Sequence, residues 1–394
     1  CRPKRLGPPA PLRHRAPALR RPRLRWLRLA PGVMGNGCQA CDACRHPLGS
    51  ELSRTVLCGS KAQLTRLLSE RDLSFQCNGG VNSAVYDGAS RCIVSGDETG
   101  EVRVWDLVTC QVRRSMGCGC PVNVVVCVPE LRAIASGDAD GQVTLWDTAT
   151  GDARLTVNSG ALPVKAMVYV PQQRALLLAS GGRGVGNVIG LDAKDGEKTF
   201  KVLCEEWPLS ISYVQDFDAV AVGNHKLVSV WDTSTGERLW EVQASDAPVV
   251  GVAYARDLKV VISTDERGRV VLWEASTGAS RLRISCGAVG SVLAMAYAAD
   301  LRAVVVAGSA RAVHAYCVVS GECLHRLACG YVARSVHYSE ELQAVVLGQH
   351  LEGRRLSALV SPSGSSGMVR VLPLSEDSEG VADGPDASGW VQPA

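Results

Sequence analysis

The side chains that could carry out chemistry are scattered along this chain of 394 residues. Its seven histidines form no His-x-Glu-x-x-His arrangement, and no Gly-x-Ser-x-Gly nucleophile motif occurs. The glycine-rich segment 181–186 is similar to a phosphate loop, but it lacks the Lys-Ser or Lys-Thr ending and precedes a predicted strand. Because no converging set of catalytic groups is visible, we predict a protein that is not an enzyme and that needs no cofactor.

A cysteine cluster near the N-terminus is the strongest candidate for a metal site. Cys38, Cys41 and Cys44 are each separated by two residues, and His46 and Cys58 follow them. Thiolate and imidazole ligands in such a number suit tetrahedral zinc. No second Cys-x-x-Cys pair is present to complete the site. We therefore favour a cysteine-rich terminus without a ligand.

Lipid attachment is the alternative for the same segment. If translation starts at Met34, removal of that residue exposes Gly35, the acceptor for N-myristoylation. The three neighbouring cysteines would then be candidates for palmitoylation, and two lipids are needed for stable anchoring. Gln39 stands where the myristoylation motif has Ser or Thr.

The first 33 residues differ in composition from the rest of the chain. They hold nine Arg, one Lys, seven Pro and no acidic residue. An organelle transit peptide and a basic arm for RNA or acidic lipid are two interpretations. We favour a third, in which the segment precedes the natural start at Met34.

The remainder of the chain has the composition of an acidic globular protein. It holds 32 basic and 39 acidic residues and so has a net charge of −7, whereas the net charge of the whole chain is +3. An acidic body disfavours nucleic-acid binding by the folded domain. The chain contains no uninterrupted apolar run of about 18 residues, so no membrane-spanning helix is predicted. Most of the sixteen cysteines stand in apolar runs of a long chain, which favours a reducing, cytoplasmic location over a disulfide framework.

A repeat of about forty residues organises residues 73–374. Four segments end in Trp-Asp or Trp-Glu, and weaker copies carry Leu or Tyr at the aromatic position, with steps of 41, 45, 40, 42, 43 and 56 residues. The marker residues are Trp105, Asp106, Trp146, Asp147, Leu191, Asp192, Trp231, Asp232, Trp273, Glu274, Tyr316 and Leu372. A second marker upstream gives the same seven units, at Tyr86, Cys127, Tyr169, Tyr213, Tyr254, Tyr297 and Tyr338. A fixed period of this length indicates a repeat architecture.

Each unit contains four short segments with the alternation of β-strands. In the second unit they cover residues 122–128, 133–136, 142–147 and 153–157. A glycine follows the aromatic position by five residues in five units, where a hairpin loop needs a left-handed residue. These glycines are Gly151, Gly196, Gly236, Gly278 and Gly321.

The segment Ser-Gly-Asp-Ala-Asp-Gly-Gln-Val-Thr-Leu-Trp-Asp (136–147) resembles the repeat of WD-repeat β-propellers. The resemblance implies an all-β, seven-bladed β-propeller of four-stranded antiparallel blades, in which an N-terminal strand, 73–77, closes the seventh blade. The family's Gly-His pair is missing from every unit, as at Gly119-Cys120. We therefore expect the Asp–His–Ser/Thr–Trp network to be absent and apolar packing to hold the blades.

The turn from Trp231 to Trp240 is also similar to the repeat of quinoprotein dehydrogenases. That resemblance implies an alternative function, a propeller dehydrogenase that binds a quinone cofactor with calcium. Such propellers usually have eight blades and are exported, whereas this chain has seven units. The scaffold interpretation is therefore favoured.

The resemblance to WD-repeat propellers implies a scaffold or adaptor that binds other proteins or peptides through one face. We expect a disordered segment over residues 1–50, the propeller over residues 51–374 and a disordered acidic tail over residues 375–394. Before the first repeat, the propeller region is expected to contain a strand at 54–57 and a helix at 61–70. Acylation would tether this cytoplasmic protein to a membrane. The binding face is predicted to consist of the loops before the first strand and between the second and third strands of every blade. The candidate partner-binding residues in these loops are Asp97, Glu98, Asp138, Arg183, His225, Asp265, Glu266, Arg267, Arg311 and His350.

Overall fold

The computed structural model describes residues 73–160, 162–182, 184–286, 290–351, 366–374 and 392–393. The chain divides into the units Cys1–Glu51 and Leu52–Ala394, and every described residue belongs to the second. The predicted strand 54–57, helix 61–70, lipidation sites at Gly35, Cys38, Cys41 and Cys44, and acidic residues of the tail lie outside the described residues.

Seven antiparallel sheets make up the described part, as the repeats predict. The first blade contains β2 (Val81–Asp87), β3 (Cys92–Asp97), β4 (Glu101–Asp106) and β5 (Val112–Gly117). The second contains β6 (Val122–Val128), β7 (Ala133–Asp138), β8 (Gln142–Asp147) and β9 (Ala153–Asn158), with a 3-10 helix at Pro129–Leu131. The third contains β10 (Val164–Val170), β11 (Ala175–Gly182), β12 (Val185–Asp192) and β13 (Lys198–Cys204).

The remaining blades follow the same order. The fourth contains β14 (Ser210–Val214), β15 (Ala219–Gly223), β16 (Leu227–Asp232) and β17 (Arg238–Gln243). The fifth contains β18 (Val249–Ala255), β19 (Val260–Asp265), β20 (Arg269–Glu274) and β21 (Ser280–Ser285), and β29 (Gln392–Pro393) pairs with β21. The sixth contains β22 (Val292–Ala298), β23 (Ala303–Gly308), β24 (Ala312–Cys317) and β25 (Cys323–Ala328).

The seventh blade combines both ends of the described chain. Its first three strands are β26 (Val332–Ser339), β27 (Ala344–Leu351) and β28 (Ser366–Pro373), and its outer strand is β1 (Leu73–Cys77). Strand β1 pairs antiparallel with β28, from Leu73 opposite Val371 to Cys77 opposite Gly367. The first strands contact one another in succession from β2 to β26, and β26 contacts β2. The ring is therefore closed, and a sheet edge that would otherwise be open is paired.

The hydrophobic core lies between neighbouring blades. One cluster, for example, joins Leu177 and Val202 of the third blade to Ile211 and Val220 of the fourth. Buried strands of Val, Ala, Leu and Ile supply most of this core, as expected from the sequence. All seven aromatic-position markers lie on the third strands of their blades. The five marker glycines have φ between 72° and 82°, which confirms the predicted left-handed turns.

Candidate functional site

In each blade, the loop before the first strand lies beside the loop that joins the second and third strands. The start of the first strand pairs with the end of the second, as at Val81–Asp97 and Val249–Asp265. Backbone hydrogen bonds of 2.9 Å join the two loops at Glu98 N to Gly80 O, Ala139 N to Pro121 O, Glu266 N to Pro248 O and Ser309 N to Ser291 O. These loops form one side of the ring, which we call the top face.

Three of the predicted partner-binding residues, Asp97, Asp138 and Asp265, are buried at the ends of second strands, with 1–3% exposure. Each carboxylate accepts hydrogen bonds from its own turn, as Asp138 Oδ1 does from the amides of Asp140 and Gln142 at 3.0 and 2.8 Å. A buried carboxylate whose oxygens are satisfied by the backbone stabilises the turn. The residues that these turns present to solvent are therefore their neighbours in sequence.

Two of the three buried aspartates also pair with arginines. Asp97 Oδ2 accepts a 2.5 Å hydrogen bond from Arg103 Nη1, and Arg103 also pairs with Glu101. Asp265 Oδ2 lies 2.7 Å from Arg269 Nε and accepts a hydrogen bond from the Ser245 hydroxyl. Because such networks have several partners for each charge, they fix the position of the loops around them.

A charged cluster bridges the first and seventh blades. Glu98 Oε1 lies 3.1 Å from His350 Nε2 and 3.4 Å from Arg334 Nη1. The sequence places His350 in a loop, and this is wrong: it lies within β27, 8% exposed. A Cβ on Gly80 would lie 1.9 Å from its Nε2, so the glycine is needed for the chain to pass over the imidazole. The structure thus brings two predicted residues, Glu98 and His350, into contact, and adds Arg334.

A depression of about 510 Å³ lies on the top face between the fifth and sixth blades. Its walls include the predicted residues Glu266 and Arg267, together with Asp246 and Ser291. Arg267 and Asp246 are exposed and Glu266 is half-buried. Within the described part of the chain, these three charged side chains have no hydrogen-bond or ion-pair partner. They are therefore available to a bound molecule.

The other predicted residues stand apart from these two groups. His225 and Arg311 are exposed in turns between second and third strands, the first in the fourth blade and the second in the sixth. Arg311 has φ of 59°, so its backbone is held in the left-handed region. Arg183 lies outside the described residues.

The expectation that the Asp–His–Ser/Thr–Trp network is absent from the blades needs correction. The tryptophan–serine half of the WD-repeat network is present, because Nε1 donates to Oγ at 2.8 Å in three blades: Trp105 to Ser95, Trp146 to Ser136 and Trp273 to Ser263. At the place of the missing histidine in the second blade, Cys120 Sγ lies 3.0 Å from Asp140 Oδ2. The hydrogen bond to that carboxylate, followed by burial, raises the pKa of the Cys120 thiol to about 11.

Sequence inspection missed Asp246, Ser245 and Arg334, because none lies in a loop between second and third strands. Asp246 and Ser245 precede the first strand of the fifth blade, and Arg334 lies on β26. The predicted face includes the loops before the first strands, where the first two lie, but all of its candidate residues come from the loops between second and third strands. Among the residues that the structure describes, no three His, Cys, Asp or Glu side chains converge as ligands for a metal ion.

The closed ring and its loop-built face define a seven-bladed β-propeller. Two family models match the chain: the WD domain, G-beta repeat model over residues 70–106, and a model described as outer membrane protein assembly factor BamB over residues 224–366. The chain is a propeller with WD-repeat-like and quinoprotein-like repeats. A comparison with curated proteins finds no match.

Proposed function

We propose that this chain is a non-enzymatic scaffold or adaptor that binds other proteins or peptides through the top face. The observation that supports it most directly is the depression between the fifth and sixth blades, where Asp246, Glu266 and Arg267 have no partner among the described residues. The WD-repeat match adds support, since WD-repeat propellers generally bind other proteins.

The physical argument rests on rigidity and on charge. The loops of the top face are bonded to each other and to buried aspartates, so little conformational entropy is lost when a partner binds. Mixed charges at a loop surface suit polar recognition and guide the orientation of the partner. We place the specificity of this face in Glu266 and Arg267, and in the cluster around Glu98.

Quantitative affinity purification of the full chain tests the proposal. For the double variant Glu266→Ala/Arg267→Ala, the recovered amount of specific partners should fall about tenfold, because two unpaired charges of the depression are removed. The matched control is Glu197→Ala/Lys198→Ala, an adjacent and exposed charge pair beside the outer strand of the third blade. Recovery of the same proteins in the same amounts from all three baits would discard the top-face proposal.

The alternative function is a quinone-binding propeller dehydrogenase, and the match over residues 224–366 is compatible with it. Among the described residues, no three His, Cys, Asp or Glu side chains converge to supply carboxylate ligands of the kind that calcium prefers. Absorbance of the protein mixed with quinone and calcium separates the two functions. A new stable chromophore would replace the scaffold proposal, and an unchanged spectrum would eliminate the dehydrogenase.

We also propose a cytoplasmic location, with a lipid tether at Gly35 and the adjacent cysteines Cys38, Cys41 and Cys44 as the alternative to an unmodified cysteine-rich terminus. No helix in the described ranges has the length and apolar character needed to cross a bilayer. Mass spectrometry of the purified protein tests the tether. A free amine on Gly35 would end the acylation proposal, and peptides from residues 2–30 would end the proposed start at Met34.

A further inference from the structure

A larger groove lies on the opposite side of the ring. We call this side the bottom face; it is formed by the turns between first and second strands and between third and fourth strands. The groove has a volume of about 810 Å³ and runs between the first and second blades. Three arginines line it: Arg113 and Arg114 from β5, and Arg132 from the turn before β7.

Arg114 departs from the repeat at this position. It stands eight residues after Asp106, and the residues eight places after the acidic markers of the next four blades are Leu155, Phe200, Trp240 and Leu282. These apolar side chains cover the neighbouring blade: a Cβ built on Gly278 of the fifth blade would lie 2.8 Å from Trp240. In the first blade, the aliphatic stem of Arg114 and the side chain of Met116 reach the corresponding Gly151, each with an atom 3.6 Å from such a Cβ. A charged side chain at a position where four other blades have a packing residue is the kind of exception that functional or strained sites show.

The charges of the groove are only partly neutralised. Arg113 donates from Nε and Nη2 to Asp106 Oδ2 at 2.9 and 2.6 Å, so the charge of Arg113 is neutralised by this carboxylate. Arg114 donates instead only to backbone carbonyl oxygens, from Nε and Nη2 to Ala149 at 3.1 and 3.0 Å and from Nη1 to Arg113 at 2.8 Å. No carboxylate among the described residues pairs with it, so its charge is uncompensated. The one acidic lining residue, Asp87, is buried with 6% exposure and accepts a hydrogen bond from the amide of Ala89.

Arg132, which lines the groove from the second blade, supplies a second uncompensated charge. Its side chain is exposed and has no partner within the ranges that the structure describes. The backbone of Arg132 is fixed: φ is 48°, its amide donates to Pro129 O at 3.0 Å, and its carbonyl accepts from the amide of Thr148 at 3.0 Å. Thr148 also lines the groove.

We propose that this groove binds a phosphorylated side chain in a peptide segment of a partner protein. A phosphate monoester carries a charge of about −1.5 to −2 and three acceptor oxygens, which matches two uncompensated guanidinium groups that line one groove from neighbouring blades. Guanidinium groups bind such oxyanions through paired hydrogen bonds. The site goes beyond the proposed top-face function and is independent of it, because the two faces share no residue.

Binding of degenerate peptide libraries to the full chain tests the proposal. Three fluorescent libraries have random flanks and a central phosphoserine, serine or glutamate. We expect the phosphoserine library to bind, and Arg114→Leu to weaken it about tenfold or more, since hydrogen bonds to charged groups are lost. Arg132→Ala should act in the same direction. Leucine is the residue that the second blade uses at this position, so Arg114→Leu is compatible with the fold, and an unchanged thermal unfolding curve verifies this.

The matched control is Arg283→Leu, which removes one exposed arginine from β21 of the fifth blade and should bind the phosphoserine library like the unaltered chain. The top-face variant Glu266→Ala/Arg267→Ala should also bind it normally, so failure of either proposal is seen separately. Equal binding of the glutamate library, or wild-type binding by Arg114→Leu and Arg132→Ala, would overturn the phosphate site. Displacement by an unphosphorylated peptide of residues 375–391 would overturn it too, because the occupant would then be the acidic tail of this chain.

Discussion

Phe75 and Trp105 pack against each other with their ring centroids 5.5 Å apart, although they belong to different blades. Phe75 lies on β1, the outer strand of the seventh blade, and Trp105 lies on β4 of the first. Both side chains are buried, with 1% and 4% exposure. The contact therefore joins the two blades at which the ring closes, and it does so through the strand that precedes all seven repeats.

Replacement of Phe75 by alanine should destabilise the whole propeller. Truncation of a fully buried phenylalanine costs about 3–5 kcal/mol of the free energy of unfolding, and here it also weakens the pairing of β1. Chemical denaturation followed by tryptophan fluorescence measures the change. The control is Phe217→Ala, because Phe217 is 39% exposed. Equal losses in the two variants would show that closure does not depend on the Phe75–Trp105 contact.

Ser136→Ala should lower stability although the change is small in volume. The variant leaves the indole N–H of Trp146 buried without its acceptor, and an unsatisfied buried donor costs about 1–3 kcal/mol. Denaturant midpoints of the two proteins give the difference. Ser285→Ala, at an exposed position of β21, is the control and should change stability by less than about 0.5 kcal/mol. A Ser136→Ala midpoint equal to that of this control would contradict the role of the Trp–Ser bond.

Two glycine substitutions should have opposite effects. Gly236 has φ of 73°, and the nearest atom to a Cβ there is 3.8 Å away, so Gly236→Ala introduces backbone strain of about 1–2 kcal/mol without a clash. Gly117, at the end of β5, has an ordinary φ and no atom within 4 Å of a built Cβ. Gly117→Ala should leave stability unchanged or raise it by up to about 1 kcal/mol, because the unfolded chain loses freedom. Thermal unfolding that ranks the two variants in the reverse order would refute the conformational argument.

The propeller should lose stability at alkaline pH. Three tyrosines of first strands donate to aspartates of the preceding blade at 2.8–2.9 Å: Tyr254 to Asp216, Tyr297 to Asp257 and Tyr338 to Asp300. Burial, and then the carboxylate, raise the pKa of each phenol above its ordinary value. The folded state holds these protons more tightly than the unfolded state, so the contribution is complete below about pH 10 and is lost as the pH rises above it.

Urea denaturation between pH 8 and 11.5 measures this loss. In Tyr338→Phe, one of the three phenols no longer titrates in either state, so stability should fall less steeply with pH than in the unaltered chain. Tyr331→Phe, at a position that is 40% exposed, is the control. An alkaline slope that is the same in all three proteins would remove the tyrosine–aspartate bonds from the explanation.

Much of the fold follows from local patterns in the sequence. In the second blade, the predicted strands at 122–128 and 142–147 agree with β6 and β8, and the other two differ from β7 and β9 by one or two residues at the end. Two patterns, the alternation of apolar residues along strands and the placement of glycine at left-handed turn positions, each depend on a few neighbouring residues. Both can therefore be recognised without the tertiary structure. The repeat of these patterns gives the number of blades.

The candidate site was predicted less well, because burial depends on distant residues. Asp265 and Glu266 are adjacent polar residues at the end of a second strand, yet one is buried against Ser245 and Arg269 and the other lines an open depression. Local sequence does not distinguish them, since the difference arises from the loop before the first strand. The partner-binding roles of the exposed residues stay predictions.

By itself, the sequence determined the repeat, the strands, the turns and the count of seven units, because backbone preference and hydrophobic alternation are short-range properties. Only the tertiary structure decided which polar residues face solvent and which residues line the groove with Arg114. In the second blade, Leu155 at the equivalent position packs on its neighbour, whereas Arg114 lines an open groove together with Arg132. The reason is physical: exposure, charge compensation and cavity shape are set between blades, by residues that are far apart along the chain.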